Sequence, residues 1–313
     1  MSATVDNPIL TQSHKGLTVR RRGEYVETVS TKAADVRLLT AHSQVEVVEV
    51  SLKKGMRLTL TPAGEALETY YVLSGRLSCS LPFGPRLLKE GDYVITQALE
   101  EPAILSALAD VRLLYVTSKP QFHEISQHLS QLRELAVEVE SKDGYTADHC
   151  DRLQALSYAT GQELGLSTSR LRLLDYGAYL HDVGKLNVPL TILQKPSALS
   201  PEEWGVVKQH PTSGRELLDK TFMKEAGVIV EQHHERLDGS GYPYGLSGDE
   251  LLIEAAIVAV ADTYDAMTTD RPYRRALSQG EAFEEIRKYA GVHYPKEVIK
   301  AFFSAIKKLQ RSR

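Results

Sequence analysis

The chain is poor in cysteine: Cys79 and Cys150 are the only two in 313 residues, and they lie far apart. A disulfide-framed secreted fold is not expected, and a reducing cytosol fits. Long apolar runs are also missing, with no stretch of about 18 apolar residues to span a bilayer. The opening residues, MSATVDNPILTQSHKG, hold no apolar core of a signal peptide. Together these absences lead to the expectation of a cytoplasmic protein without a membrane partner. A basic excess is lacking too. The net charge is −4, whereas a general nucleic-acid binder carries a basic face. No nucleic-acid polymer is expected as a partner, although a few local Lys and Arg would serve a small anion.

Histidine is scarce, ten in all, which makes its placement informative. HDVGK at 181–185 and HHERLDGSGYP at 233–243 put His181, Asp182, His233 and His234 into one half of the chain. Imidazoles mixed with carboxylates suit a borderline transition metal such as Fe or Mn better than Mg or Ca. Such a metal makes a nucleophile of water near neutral pH and steadies a phosphoryl group under attack.

The length suits two domains, each able to bury its own core. The pattern changes near residue 120. From 35 to 118, short alternating runs such as VEVVEVSL, TYYVLSG and VRLLYVTS are separated by turns. That rhythm predicts an antiparallel sandwich or barrel. Residues 1–34 are polar and read as irregular. In a linker segment, 119–142, Phe122, Ile125, Leu129, Leu132, Ala136 and Val139 step by three and four, one stripe on a helix. A short coiled coil and a helix packed on its own domain both satisfy this stripe. From 143 to 313 the pattern is helical, with helices expected over 147–164, 167–182, 201–219, 221–234, 249–268, 278–290 and 295–310.

His149, His181, Asp182, His210, His233, His234 and Asp262 each lie on or at the end of an expected helix. Donors spread over several helices can converge in a bundle core. Neighbours on a helix point roughly 100° apart. His181 and Asp182 therefore do not simply chelate one ion side by side as an i, i+4 pair would; the arrangement suits Asp182 bridging two ions while His181 serves one of them.

Ordered blocks carry a resemblance. They are DGYTADHC at 143–150, YLHDVGKLNVP at 179–189, ILQKPSALSPEEW at 192–204, KQHPTSG at 208–214, HHERLDGSGYP, and AVADTYDAMTTDRPYR at 259–274. The chain resembles the HD-GYP family, a branch of the HD metal-dependent phosphohydrolases. The implied architecture is multidomain: an N-terminal all-β cupin-like barrel, a linker helix and a C-terminal all-α helical bundle. The resemblance implies that His149, His181, Asp182 and Asp262 hold one metal. It implies that His210, His233 and His234 hold a second, with Asp182 bridging. Iron is the implied metal and manganese the alternative. The implied activity is hydrolysis of cyclic di-GMP to linear pGpG and/or GMP, by in-line attack of a metal-held hydroxide. The alternatives are another cyclic dinucleotide such as cyclic GMP-AMP, another nucleotide, or a non-catalytic dinucleotide receptor.

Lys185 is expected at the scissile phosphate or the departing oxygen. Arg271 and Arg274 of RPYR are expected to clamp a second phosphate, because guanidinium pairs with phosphate bidentately. Tyr242, at the tip of a loop stiffened by Gly239, Gly241 and Pro243, is expected to contact substrate. Asp238 is expected to pin that loop by hydrogen bonds. Some members of the family carry an acidic residue for a third metal where this chain has Tyr145, so two ions are expected. His293-Tyr294-Pro295 replaces the family's Phe-Asp-Pro and is expected to be structural. Cys150 reads as a buried helix residue.

The barrel resemblance rests on Gly55, ETYYVLSGRL at 68–77 and LKEGDYVI at 88–95. TLTPAGEAL at 59–67 lacks the histidines of metal-binding cupins. A metal-free barrel is implied, one that senses a small molecule, is filled by side chains, or forms a homodimer alone or with the linker helix.

Overall fold

The computed structural model describes residues 12–14, 17–21, 23–30, 34–81, 84–143, 147–270 and 275–311. The chain forms two units, Met1–Gln131 and Leu132–Arg313. In the first, β1 (Gln12–His14) pairs with β2 (Leu17–Val19). Next come β3 (Glu27–Ser30), β4 (Ala34–His42), β5 (Val45–Leu52), β6 (Arg57–Leu60), β7 (Glu68–Ser74) and β8 (Arg76–Cys79). β9 (Arg86–Lys89), β10 (Tyr93–Thr96), β11 (Ala103–Ala107) and β12 (Val111–Thr117) complete the unit. They build an antiparallel six-stranded sheet, β10-β7-β12-β5-β4-β3, and a four-stranded one, β6-β11-β8-β9.

Alternation sets the core. Val36 and Leu38 of β4, Val48 and Val50 of β5, and Leu113 and Tyr115 of β12 are buried in one cluster. Their neighbours Arg37, Glu49 and Arg112 point to the opposite face, as the two-residue period requires. On that face Glu49 accepts from Arg37 at 2.9 Å and from Arg112 at 2.7 Å. A concavity of about 380 Å³ lies there, lined by Tyr25, Arg37, Glu49, Lys53, Asp110 and Arg112 among others. The sequence reading of 1–34 as irregular is corrected in part. β3 pairs with β4 from Glu27↔Leu38 to Ser30↔Asp35, so the sheet begins before residue 35.

α1 (Phe122–Asp143) starts under Glu46, whose carboxylate accepts from the backbone N–H of Gln121 at 2.6 Å and of Phe122 at 2.8 Å. A carboxylate there satisfies orphan donors and the positive end of the helix dipole. Of the sequence stripe, Phe122 and Ile125 join the β core, while Val139 joins a cluster of the second unit.

The second unit contains α2 (Ala147–Glu163), α3 (Thr168–Tyr179), α4 (Leu190–Leu193), α5 (Pro201–Val207), α6 (His210–Leu218) and α7 (Gly227–Gln232). α8 (Ile253–Thr268), α9 (Gln279–Lys288) and α10 (Lys296–Arg311) follow. α8 is its axis: Ala255 to Ala261 are all buried, packed with Leu153, Leu174, Val298 and Phe302. A buried side chain such as Phe302 contributes about 1.5–3 kcal/mol. Capping boxes start α5 at Ser200/Glu203 and α9 at Ser278/Glu281.

Three helix boundaries correct the sequence reading. The 167–182 helix ends at Tyr179, 201–219 breaks between Val207 and His210, and 221–234 shortens to 227–232. His181-Asp182 and His233-His234 therefore sit in turns just beyond α3 and α7. Among the described residues, no helix is long and apolar enough to cross a membrane.

Candidate metal centre

α3 stops where the Leu180 N–H returns to the Tyr176 carbonyl at 3.0 Å. Leu180 and Val183 then anchor in a small apolar cluster with Leu218 and Val230. Between those anchors His181 and Asp182 turn inward, and a 3-10 helix, Val183–Asn187, carries the chain away. Gly184 explains the fourth position of HDVGK. A Cβ there would collide with the His210 carbonyl oxygen and lie 2.5 Å from the Gly214 nitrogen. The turn thus lies directly on the backbone of α6, which brings Asp182 to His210. A Cβ on Gly214 would in turn lie 2.7 Å from Val230 on α7, the helix that ends at His233.

The result is a compact donor set. Asp182, His210, His233 and His234 each offer an atom within 4.8 Å of the others. His149, His181 and Asp182 form a second such group. Asp182 belongs to both, with Oδ2 3.2 Å from His181 Nε2 and Oδ1 3.3 Å from His210 Nε2. His210 and His233 approach Nε2 to Nε2 at 3.3 Å. Asp262 lies beside this set, with Oδ1 3.8 Å from His149 Nε2. All seven residues singled out in the sequence are thus brought together, six as members of the two groups and Asp262 at their edge.

The rings are aimed by their other nitrogens. His181 Nδ1 faces the Ala178 carbonyl at 3.0 Å, His210 Nδ1 that of Val207 at 2.8 Å, and His233 Nδ1 that of Val230 at 2.6 Å. Each Nδ1 donates to the carbonyl three residues back, which aims Nε2 inward. His149 differs: its Nδ1 meets the Asp265 carboxylate at 2.6 Å. Sequence reasoning missed Asp265. The available signal was its place three residues after Asp262, on the same face of α8.

Burial opposes charge throughout the cluster. It holds His233 and His234 well below the usual histidine range, helped by the neighbouring rings, and it lowers His210. His181 is the exception. Burial disfavours its charge, but Asp182 outweighs burial and pushes its pKa up to about 9. Asp182 is likewise opposed by burial, yet Lys185 and His181 hold its carboxyl well below the usual range. Lys185 Nζ lies 2.8 Å from Asp182 Oδ2.

The GSGYP loop closes one side. Buried Glu235 accepts from the N–H groups of Tyr244 at 2.7 Å, Gly245 at 3.2 Å and Leu246 at 3.0 Å. A Cβ on Gly241 would meet the backbone of Glu235, lie 2.5 Å from Arg236 N and lie 2.5 Å from the His234 carbonyl oxygen. The loop can therefore lie flat on the HHER turn, with Tyr242 stacked on His234 at 4.7 Å. Burial raises the Tyr242 hydroxyl pKa, so it stays protonated. Lys208 Nζ also sits over this ring, 5.3 Å from its centroid. Asp238 accepts from Ser240 N at 3.0 Å and Ser240 Oγ at 2.6 Å, the pinning expected of it. His293-Tyr294 supports the loop: the His293 carbonyl accepts from Leu237 N at 2.9 Å, and Tyr294 stacks under Arg236. Cys150 is partly buried on α2 and is absent from both donor groups. Tyr145, Arg271 and Arg274 lie outside the described residues.

A family model described as "HD domain" matches residues 123–298, more than half of the chain. The chain belongs to the HD domain family. It is 39% identical over 201 residues to a cyclic di-GMP phosphodiesterase of Thermotoga maritima, covering 63% of this chain and 55% of the relative. It is 41% identical over 154 residues to the cyclic di-GMP phosphodiesterase response regulator RpfG of Xanthomonas campestris, covering 48% and 41%. A 3'3'-cGAMP-specific phosphodiesterase of Vibrio cholerae is 33% identical over 220 residues, covering 68% and 46%. The chain thus spans about half the length of these relatives. Among solved structures, a cupin domain of an XRE-family regulator from Enterobacter cloacae overlaps 28% of this chain and 99% of its own, at 20% identity and TM-score 0.26. The β unit's architecture rests on its own two-sheet register, and the HD domain's on the helices around α8.

Proposed function

We propose that the HD domain is a metal-dependent phosphodiesterase that opens cyclic di-GMP to linear pGpG and/or GMP. One observation carries this reading: a single half-buried carboxylate, Asp182, is shared by two histidine groups whose rings are pre-aimed by their Nδ1 contacts. That donor chemistry fits a pair of transition-metal ions, with iron first and manganese second. His149, His181 and Asp262 would hold one ion and His210, His233 and His234 the other, with Asp182 between. When bound, the ions supply an acidified water as nucleophile and neutralise charge on the phosphoryl oxygens.

The chain's own groups do the rest. Lys185 reaches the same point as Asp182, so its ammonium stabilises the phosphate under attack or protonates the departing oxygen. Tyr242 offers a protonated hydroxyl and a fixed ring at the edge of the second group. Arg271 and Arg274 bind the other phosphate. The β unit serves as a small-molecule sensor or a homodimer contact; its charged concavity supports the sensor role.

The test is purification without added metal, elemental analysis, and anaerobic turnover of cyclic di-GMP on the same sample. About two Fe or Mn per chain with linear product is the expected result. No metal even after reconstitution would overturn the reading. A second substrate, cyclic GMP-AMP, is favoured by the cGAMP-specific relative, whose match covers more of this chain than the two cyclic di-GMP relatives described above. Parallel assays decide between the two, and metal without turnover of either would leave a receptor.

A further inference from the structure

His149 stands apart from the other aimed rings. His181, His210 and His233 lean on neutral carbonyls of their own chain segment, three residues back. His149, on α2, leans across to α8 and meets a carboxylate. Asp262 and Asp265 stand three residues apart on α8 and bracket one imidazole, Asp262 at Nε2 and Asp265 at Nδ1. Asp265 is 3% exposed and would be costly to bury as a lone anion. Arg152, one turn along α2 from His149, offsets that cost. Its Nε donates to Oδ1 at 2.6 Å and a terminal nitrogen to Oδ2 at 2.9 Å, with Thr269 at 3.3 Å behind.

We propose that Asp265 is a positioning residue that makes the two metal pockets unequal. It fixes the His149 tautomer with Nε2 as the inward acceptor, and its charge strengthens that nitrogen as a donor. The His149/His181 pocket therefore holds its ion more tightly than the His210/His233/His234 pocket. It is the last to empty under a chelator. This inference rests on the two-metal reading above.

The experiment compares wild type with Asp265→Asn, which keeps the shape and removes the charge. Mn(II) is titrated into metal-free protein by calorimetry. Wild type is expected to show two sites of different affinity. In Asp265→Asn the tighter one weakens by roughly 10- to 100-fold, and the weaker one stays in place. Two sites of unchanged affinity in the variant would overturn the proposal. Nitrogen-15 NMR of the metal-free wild type gives a readout that needs neither metal nor a folded Asp265 variant. His149, assigned by its loss in His149→Gln, is expected to carry the single proton of its neutral ring on Nδ1, facing Asp265. The opposite tautomer would overturn the proposal. Wild type binding fewer than two ions would sink the two-metal reading and with it the inequality of the pockets, while the tautomer would still decide whether Asp265 positions His149.

Discussion

Glu68 in the β unit and Asp182 in the HD domain are both carboxylates withdrawn from water, with 4% and 12% exposure. Their surroundings differ in kind. Glu68 accepts from the Tyr115 hydroxyl at 2.6 Å, Thr96 Oγ1 at 3.0 Å, the Tyr70 hydroxyl at 3.3 Å and Gln121 Nε2 at 3.3 Å. Every donor is neutral, and the network closes on itself. Asp182 faces two imidazoles and an ammonium, and the rings behind them meet nitrogen to nitrogen. Two acceptor nitrogens at 3.3 Å do not satisfy each other; they need a proton or a cation between them. A buried polar cluster that closes is a structural element. One whose acceptors converge is a binding site.

The sharpest way to break this comparison is to remove the shared carboxylate. Asp182→Ala is expected to abolish turnover and to lower metal content in both pockets, read by elemental analysis. Lys185→Ala keeps the donors and should retain metal while kcat falls about 10²- to 10³-fold, the scale of losing one electrostatic stabiliser. A Lys185 variant that lost its metal would show that the ammonium holds the cluster together rather than acting on substrate.

Acidity sharpens the comparison next. In metal-free protein His181 titrates near 9, because Asp182 outweighs burial. Its raised pKa adds stability that is fully present below the unfolded value of about 6.5 and is lost as pH rises through about 9. A metal must displace that proton. Apparent affinity in this pocket should therefore rise about tenfold per pH unit up to about pH 9 and level off above it. Calorimetry in buffers of different ionisation enthalpy would count the released proton. A flat profile between pH 6 and 8 would show that His181 is already neutral.

How much of this was legible in the sequence follows the same division. The donors were readable because HDVGK, KQHPTSG and HHERLDGSGYP each bring chemistry and spacing together. Asp265 was not, since DTYDAM offers two aspartates and only the packing of α8 on α2 shows which one meets Nδ1. The helix ends were misread because apolar periodicity runs through Leu180 and Val183, which stay buried after the helix has stopped. What ends it is tertiary: Gly184 seated on the α6 backbone. β3 was missed because four residues, ETVS, are too short and polar to show alternation. Gly241→Ala tests the same kind of close approach. A Cβ there collides with backbone on the HHER turn, so about 1–3 kcal/mol should be lost, with Tyr242 displaced and KM raised. Chemical denaturation and steady-state kinetics would check both.

The smallest effect is expected on the closed side. Tyr115→Phe removes the shortest donor to Glu68 and leaves Thr96, Tyr70 and Gln121 in place. A hydrogen bond to a charged group contributes about 1.5–3 kcal/mol, and the remaining donors should keep the loss toward the lower end. Denaturant unfolding of the full chain would show it as a shift in the transition of the β unit. Metal content should not change, because none of Glu68's partners belongs to either donor group. Glu68 would be more than a structural acceptor if Tyr115→Phe altered metal uptake, and the contrast between closed and convergent clusters would then fail on its structural side.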